Sequence, residues 1–375
     1  MGKGNSNGLH QRGISRQEFL KMATATAAAG LLSGCISACR RPEVSTLESG
    51  KPVVSIVKIK RDRISAAVEE AIDLLGGIET VTKDRGTILL KPNLTTDDPH
   101  STTNPAVIET LARLMQKAEK EVSIGEGSAA AGGFNASRTE VYRTSNREIL
   151  DAMQQSIFDV LSYTELAKSL GVPLVNLHSG EMVEVQVPDG LAFEKITLHH
   201  TLTEIDLLCS VPMLKTHTLA SVTLGMKNLI GLYPGTAYCA VRACVHDLAA
   251  DAGSPGIAFE TLDMVRANKL GLVVIDGSMA MEGNGPTEGN LVKMGVIIAG
   301  TDPLATDVVA ANVMGFEADE VPTFVWATKI GMGELSLDGI EIRGAKVEDV
   351  RRRFARPTIY SWNTIRNHWG VHQMP

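Results

Sequence analysis

The sequence predicts an α/β fold: a mostly parallel sheet with flanking helices, arranged as two α/β lobes around one crevice. Two observations carry this reading. The 375 residues are 44% hydrophobic but only 4% aromatic, so the core is built from Ala, Val, Ile and Leu rather than the aromatic-rich faces of a β-sandwich. Short aliphatic runs also alternate with segments of helical spacing, which is the pattern of βαβ units.

The elements follow in order. Pro52-Val-Val-Ser-Ile-Val-Lys-Ile-Lys60 reads as the first strand. Residues 65–75 carry apolar positions at helical spacing and stop at Gly76-Gly77. Thr87-Ile-Leu-Leu90 is a short buried strand that ends at Lys91-Pro92-Asn93. Asn104 is placed as an N-cap with Pro105 in the first turn of a helix to about Lys120. Glu121-Val-Ser-Ile124 is a strand ending at Gly125-Glu126-Gly127, followed by a helical pattern over 147–170 and a strand over 173–177. Residues 182–187 and 195–199 alternate around Pro188-Asp-Gly190, which predicts a hairpin. Strands over 205–210, 272–275 and 295–299 restore the rhythm, and Asp302-Pro303 opens a helix that stops at Gly315. The possible lobes are 51–190 and 200–345, with 346–375 as a C-terminal extension.

Residues 1–50 have a different character. A basic start with Lys3, Arg12 and Arg16 precedes the short, weakly apolar segment 22–32, the layout of an export signal and too short for a permanent anchor. Ser15-Arg16-Gln17-Glu18-Phe19-Leu20-Lys21 resembles the twin-arginine export motif, with Gln17 in place of the second arginine. Leu32-Ser33-Gly34-Cys35 resembles a lipobox, in which Cys35 carries lipid; the alternative is a soluble exported protein cleaved nearby. The expectation is a signal peptide over 1–34, a tether over 35–50 and a periplasmic or outer-surface location, lipid-anchored through Cys35. Proteins exported by the twin-arginine route travel folded, which favours a cofactor loaded beforehand, such as a metal ion.

A net charge of -7 without a Lys/Arg cluster argues against a nucleic-acid partner. The five cysteines include no C-x-x-C, so no iron–sulfur cluster of its own is expected. Cys239 and Cys244 are either a disulfide or two small thiols.

Chemistry gathers where strands end. In open parallel sheets ligands bind beyond the carboxyl ends of the strands. Lys91 and Asn93, then Gly125, Glu126 and Gly127, are placed there as ligand- or cofactor-binding positions, joined by Thr223 and Asn228. The densest stretch is 211–231, with Lys215, Thr216, His217, Thr223, Lys227 and Asn228. Read as a helix over 218–230, it puts Thr223 and Lys227 on one face, with Lys215 and His217 at its positive end. Candidate catalytic roles are His217 as general base or metal ligand, and Lys215 or Lys227 steadying an oxyanion or carboxylate. Asp276 and Glu282, on a Gly-rich stretch after a strand, are candidates for holding a hard cation or dividing acid and base work. Asp302 is expected to cap a helix, and His246-Asp247 is a possible acid/base pair.

Lys91-Pro-Asn-Leu94, the 212–231 segment, Asp276-Gly…Glu282-Gly-Asn-Gly-Pro286 and Thr301-Asp-Pro-Leu-Ala-Thr-Asp307 together resemble the domain-of-unknown-function 362 family, over roughly 52–320. Many relatives look like iron–sulfur proteins with an attached ferredoxin-type segment, whose cysteines this chain lacks. The resemblance assigns no reaction. The expectation is an exported enzyme for a small anion, with possible proton-transfer or redox-linked chemistry. The alternative is a non-catalytic ligand-binding or electron-transfer accessory lipoprotein with a redox partner protein.

Overall fold

The computed structural model describes residues 50–137 and 141–358. The expected export signal, Cys35 and the tether up to residue 49 lie outside the described residues, as does the C-terminal extension beyond 358.

Among the described residues eleven strands form one sheet: β1 (Val53–Lys58), β2 (Thr87–Pro92), β3 (Glu121–Glu126), β4 (Leu174–Asn176), β7 (Leu207–Val211), β8 (Met213–His217), β9 (Ser221–Thr223), β10 (Leu270–Glu282), β11 (Asn290–Val292), β12 (Val296–Gly300) and β13 (Glu341–Gly344). The spatial order is β13-β1-β12-β10-β7-β2-β3-β4. The run β10-β7-β2-β3-β4 is parallel, while β12 is antiparallel to both β10 and β1. The predicted hairpin is present as a separate antiparallel pair, β5 (Met182–Gln186) and β6 (Lys195–His199). Strands from 51–190 and from 200–345 interleave in the one sheet, with β7 beside β2 and β1 beside β12.

Side-chain alternation along the strands divides the core between two faces. Ile88, Leu90, Leu272, Val274, Ile297 and Ala299 face one apolar cluster; Leu89, Val273, Ile275, Val296 and Ile298 face the other. The first face is covered by α1 (Ile64–Leu74), α2 (Pro105–Lys117), α3 (Arg147–Val160) and α4 (Tyr163–Leu170). The second is covered by α6 (Ala258–Ala267), α7 (Pro303–Val313) and α8 (Pro322–Lys329), which follow α5 (Ala243–Asp251). Strands buried on both faces read as continuous apolar runs, which is why 87–90 and 272–275 were legible. Asn104 caps α2 through a 3.0 Å bond from the Ala106 N–H, and Asp302 caps α7 through a 2.8 Å bond from the Ala305 N–H.

Three elements differ from expectation. The helical pattern over 147–170 is two helices, because Ser162 takes a left-handed conformation between them. The strand expected to end at Asp276 continues to Glu282, so Asp276 lies inside β10. The expected helix over 218–230 is instead the β8–β9 hairpin followed by a 3-10 turn, Lys227–Leu232. Thr216, Thr218, Val222 and Thr223 are β-branched and suit the hairpin, and Ser221 at φ 67 starts its return strand. Thr223 therefore lies across from Lys215, rather than one helical turn from Lys227.

Candidate functional site

The parallel pairing β7-β2-β3 brings three strand ends to one edge. Lys91 on β2 sits beside Ser210 on β7, and Glu126 ends β3. Lys91 and Glu126 are both buried and form an ion pair at 2.7 Å. The other bonds of Glu126 come from the backbone, the Leu94 N–H at 2.9 Å and the Gly127 N–H at 2.8 Å. Asn228 ties the strand ends together. Its Oδ1 accepts from Lys91 Nζ at 3.2 Å and Asn93 Nδ2 at 3.0 Å, and its Nδ2 donates to Ser210 Oγ at 3.1 Å. Gly231 packs so close that a Cβ there would lie 2.6 Å from Glu126 Oε1 and 2.8 Å from Lys91 Nζ. Gly127 is equally confined, by Arg242 and the Gly231 carbonyl, whereas Gly125 abuts only the Leu89 side chain.

Around this pair the structure gathers cations. Lys215 is fully buried on β8 and donates to Ser101 O at 2.5 Å and Thr95 Oγ1 at 3.3 Å. Arg242 is also buried; its guanidinium donates to Ser128 O at 2.7 Å, to Gly231 O at 2.9 Å and to Gly127 O. Lys227 is partly exposed, and its ammonium donates no hydrogen bond to any of the described residues. Four cationic side chains thus surround Glu126, which is already paired to Lys91; Asp98 adds a favourable charge for Lys215 and Glu260 one for Lys227. Burial, then repulsion from Lys91 and Arg242, brings the Lys227 ammonium down to about 7. Burial and the Lys227 charge push Lys215 well below its usual range. Ser128 Oγ, Gln154 Nε2, Arg242 Nε and Thr223 Oγ1 are buried with no hydrogen-bond partner among the described residues. Every one of these atoms can donate, so the site holds a surplus of donors as well as of positive charge.

His217 is held in one protonation state. Its Nδ1 accepts from the Leu219 N–H at 3.0 Å and the Ala220 N–H at 3.4 Å. Burial, then the charges of Lys227 and Lys215, keep the ring well below its usual pKa. A neutral imidazole that accepts at Nδ1 carries its proton on Nε2. His217 therefore presents a donor, not the lone pair expected of a general base or metal ligand. Among the described residues no three His, Cys, Asp or Glu side chains are grouped to hold a metal ion.

The two expected carboxylates go elsewhere. Asp276 accepts from the Asn104 N–H at 2.8 Å and the Ser278 N–H at 2.9 Å, which fastens the start of α2 to β10. It lines a cavity of about 310 Å3 with Thr103, Asn104, Met213 and Leu291, and none of the three lysines reaches that cavity. Glu282 is tied to the C-terminal segment, accepting from the Ala355 N–H at 3.1 Å and lying 3.7 Å from Arg352. His246 pairs with Glu260 at 3.0 Å, and Asp247 with Arg143 at 2.8 Å.

Two further residues contribute: Asp307 stands out in the sequence as a carboxylate inside an otherwise apolar helix, without an assigned role, and Arg242 carries no signal there. Asp307, inside α7, accepts from the Gly225 N–H at 2.7 Å and the Met226 N–H at 2.9 Å, fixing the turn that presents Lys227. Arg242 emerges from a strap in which Cys239, Val241 and Arg242 all have positive φ, closed by a Cys239–Cys244 disulfide.

Residues 88–312 match the family model described as Domain of unknown function (DUF362). The chain belongs to this family. The matched region contains every residue of the site, from Lys91 to Asp307. A thylakoid-associated protein of Synechocystis sp. is 26% identical over 272 residues, which is 71% of this chain and 75% of that protein. Among solved structures, the lactate racemase apoprotein of Thermoanaerobacterium thermosaccharolyticum is similar with a TM-score of 0.41 at 13% identity, over 70% of this chain and 57% of that one. A Thermotoga maritima protein gives 0.32 at 14%, over 65% and 56%. The chain thus spans less than three fifths of either, and likenesses this distant carry nothing about activity.

Proposed function

We propose that this family member is an enzyme that binds a small anion between Lys215, Lys227 and Arg242 and moves a proton there. The single observation behind this reading is the Lys227 ammonium, which has no hydrogen-bond partner among the described residues and is set near Lys215 and Arg242, whose own hydrogen bonds run to carbonyl and hydroxyl oxygens instead of carboxylates. Burying like charges without counter-ions is costly, and an incoming carboxylate or phosphate relieves that cost. Lys227, with a pKa near 7, supplies an amine able to exchange protons at neutral pH. His217 Nε2–H and the remaining donors suit an oxyanion that develops during reaction. Export and lipid attachment at Cys35 remain part of the proposal and rest on the leader motifs alone.

Calorimetric titration with propionate and with inorganic phosphate tests the anion reading. Binding a negative charge beside Lys227 favours its protonated form, so at pH 8 binding is expected to take up a proton. The observed enthalpy then changes with the ionisation enthalpy of the buffer. Absence of binding by both anions, or equal binding by Lys227→Met, would overturn it.

A further inference from the structure

We propose that Lys227 is a nucleophile that forms an imine with a small anionic aldehyde or ketone, of which a 2-oxo acid is the simplest class. The inference rests on the anion-binding reading and goes beyond it by naming the substrate's second functional group.

The geometry supplies the parts that imine formation needs. The amine must be reachable and uncommitted; Lys227 is partly exposed and donates to no described residue. It must be neutral at working pH, and neighbouring cations together with desolvation are the established means of making a lysine so. Lys91 and Arg242 provide those charges, and with desolvation they outweigh the opposing Glu126 and Glu260. The carbonyl oxygen needs a proton donor, and His217 is fixed as the Nε2–H tautomer by the Leu219 N–H. The carboxylate of a 2-oxo acid, one bond from its carbonyl, needs cations beside the amine, which Lys215 and Arg242 provide. Lys91 itself is unsuitable as the nucleophile, because it is paired to Glu126 at 2.7 Å and fully buried.

The step balances without an external oxidant or reductant. The Lys227 nitrogen pair forms the C–N bond while the carbonyl π pair moves to oxygen. One proton passes from nitrogen to that oxygen through His217 Nε2. The hydroxyl then takes a proton from solvent and leaves as water, and the nitrogen pair closes the C=N bond of a protonated imine.

The test uses the full chain with pyruvate and sodium cyanoborohydride, followed by intact mass spectrometry and peptide mapping. The expected result is one reduced pyruvate adduct, on Lys227, suppressed by excess propionate and absent in Lys227→Arg. Its rate should rise with pH around a midpoint near neutrality, instead of near 10 as for exposed lysines. Adducts spread over surface lysines, at the same rate in Lys227→Arg, would overturn the proposal. So would a lack of adduct in a protein whose unfolding temperature is still raised by pyruvate and by propionate; that outcome leaves the anion reading standing. No adduct and no shift with either compound would overturn both.

Discussion

Replacing Lys227 by Met should make the protein more stable while abolishing anion binding. The sign follows from the direction of the shift. The folded state holds the Lys227 ammonium near 7, against 10.5 for a free lysine. Below pH 7 both states are charged and the folded state bears the whole penalty. Between about 7 and 10.5 the unfolded chain binds more protons, so stability rises with pH and the penalty fades. At about 1.36 kcal/mol per pKa unit the full shift corresponds to roughly 5 kcal/mol. Partial exposure of the side chain screens much of this, and about 2 kcal/mol is a reasonable expectation. Met fills a similar volume without charge.

The assay is thermal unfolding of both proteins from pH 6 to pH 10, with and without phosphate. At about 2–4 °C per kcal/mol, Lys227→Met should unfold roughly 4–8 °C higher at pH 6, with the gap closing towards pH 10. Phosphate should raise the unfolding temperature of the native protein and leave the variant unmoved. A variant that is less stable at pH 6, or that keeps the phosphate response, would refute the argument. The first result would mean that the Lys227 charge is compensated in the folded chain, and the second that phosphate binds without Lys227.

Three further outcomes follow from the same contacts. Glu126→Gln strips the buried Lys91 ammonium of its charge partner and should lower stability by about 3–5 kcal/mol, read from the denaturant midpoint; an unchanged midpoint would mean that Asn228 and the Pro92 carbonyl satisfy Lys91 unaided. Asp307→Ala leaves the buried Gly225 and Met226 N–H groups unsatisfied, which should cost about 2–4 kcal/mol in urea unfolding and weaken phosphate affinity by loosening the Lys227 turn. Glu282→Ala removes only a partly exposed contact to the C-terminal segment; its stability should change by less than about 1 kcal/mol, with phosphate affinity unaltered in titration.

The parts of the site legible in the sequence were those written locally. An aliphatic run followed by Lys-Pro-Asn, or by Gly-Glu-Gly, marks a strand end whatever lies elsewhere, and Lys91 and Glu126 do meet at one edge. Segment 211–231 was recognisable by its density of polar groups, but its conformation was not. Thr223 and Lys227 are spaced as helix neighbours, and only pairing with Met213–His217 selects the hairpin. Asp276 follows an aliphatic run and reads as a strand end; β10 instead continues through Gly277 beside Val296, a cross-strand contact that local spacing does not encode. Arg242 was invisible for a related reason. One arginine among Ala, Val and Ala has no pattern, and its approach depends on three positive-φ residues that are not glycine.

The way these cations are held also separates function from stability. Lys91 shows what a stabilising arrangement looks like in this fold: a carboxylate at 2.7 Å, itself fixed by two backbone N–H groups. Lys215 and Arg242 receive carbonyl oxygens instead, from Ser101, Gly127, Ser128 and Gly231. Carbonyls satisfy N–H donors and fix their direction while leaving the positive charge unneutralised. Such a site is preorganised for an anion, because the cost of assembling like charges is met during folding and not during binding. Its affinity should then depend on charge complementarity in a partly desolvated place, where screening by salt is weak. Phosphate affinity that survives physiological chloride and collapses in Lys215→Met would mark a built site, whereas affinity lost with ionic strength alone would mark a diffuse surface attraction.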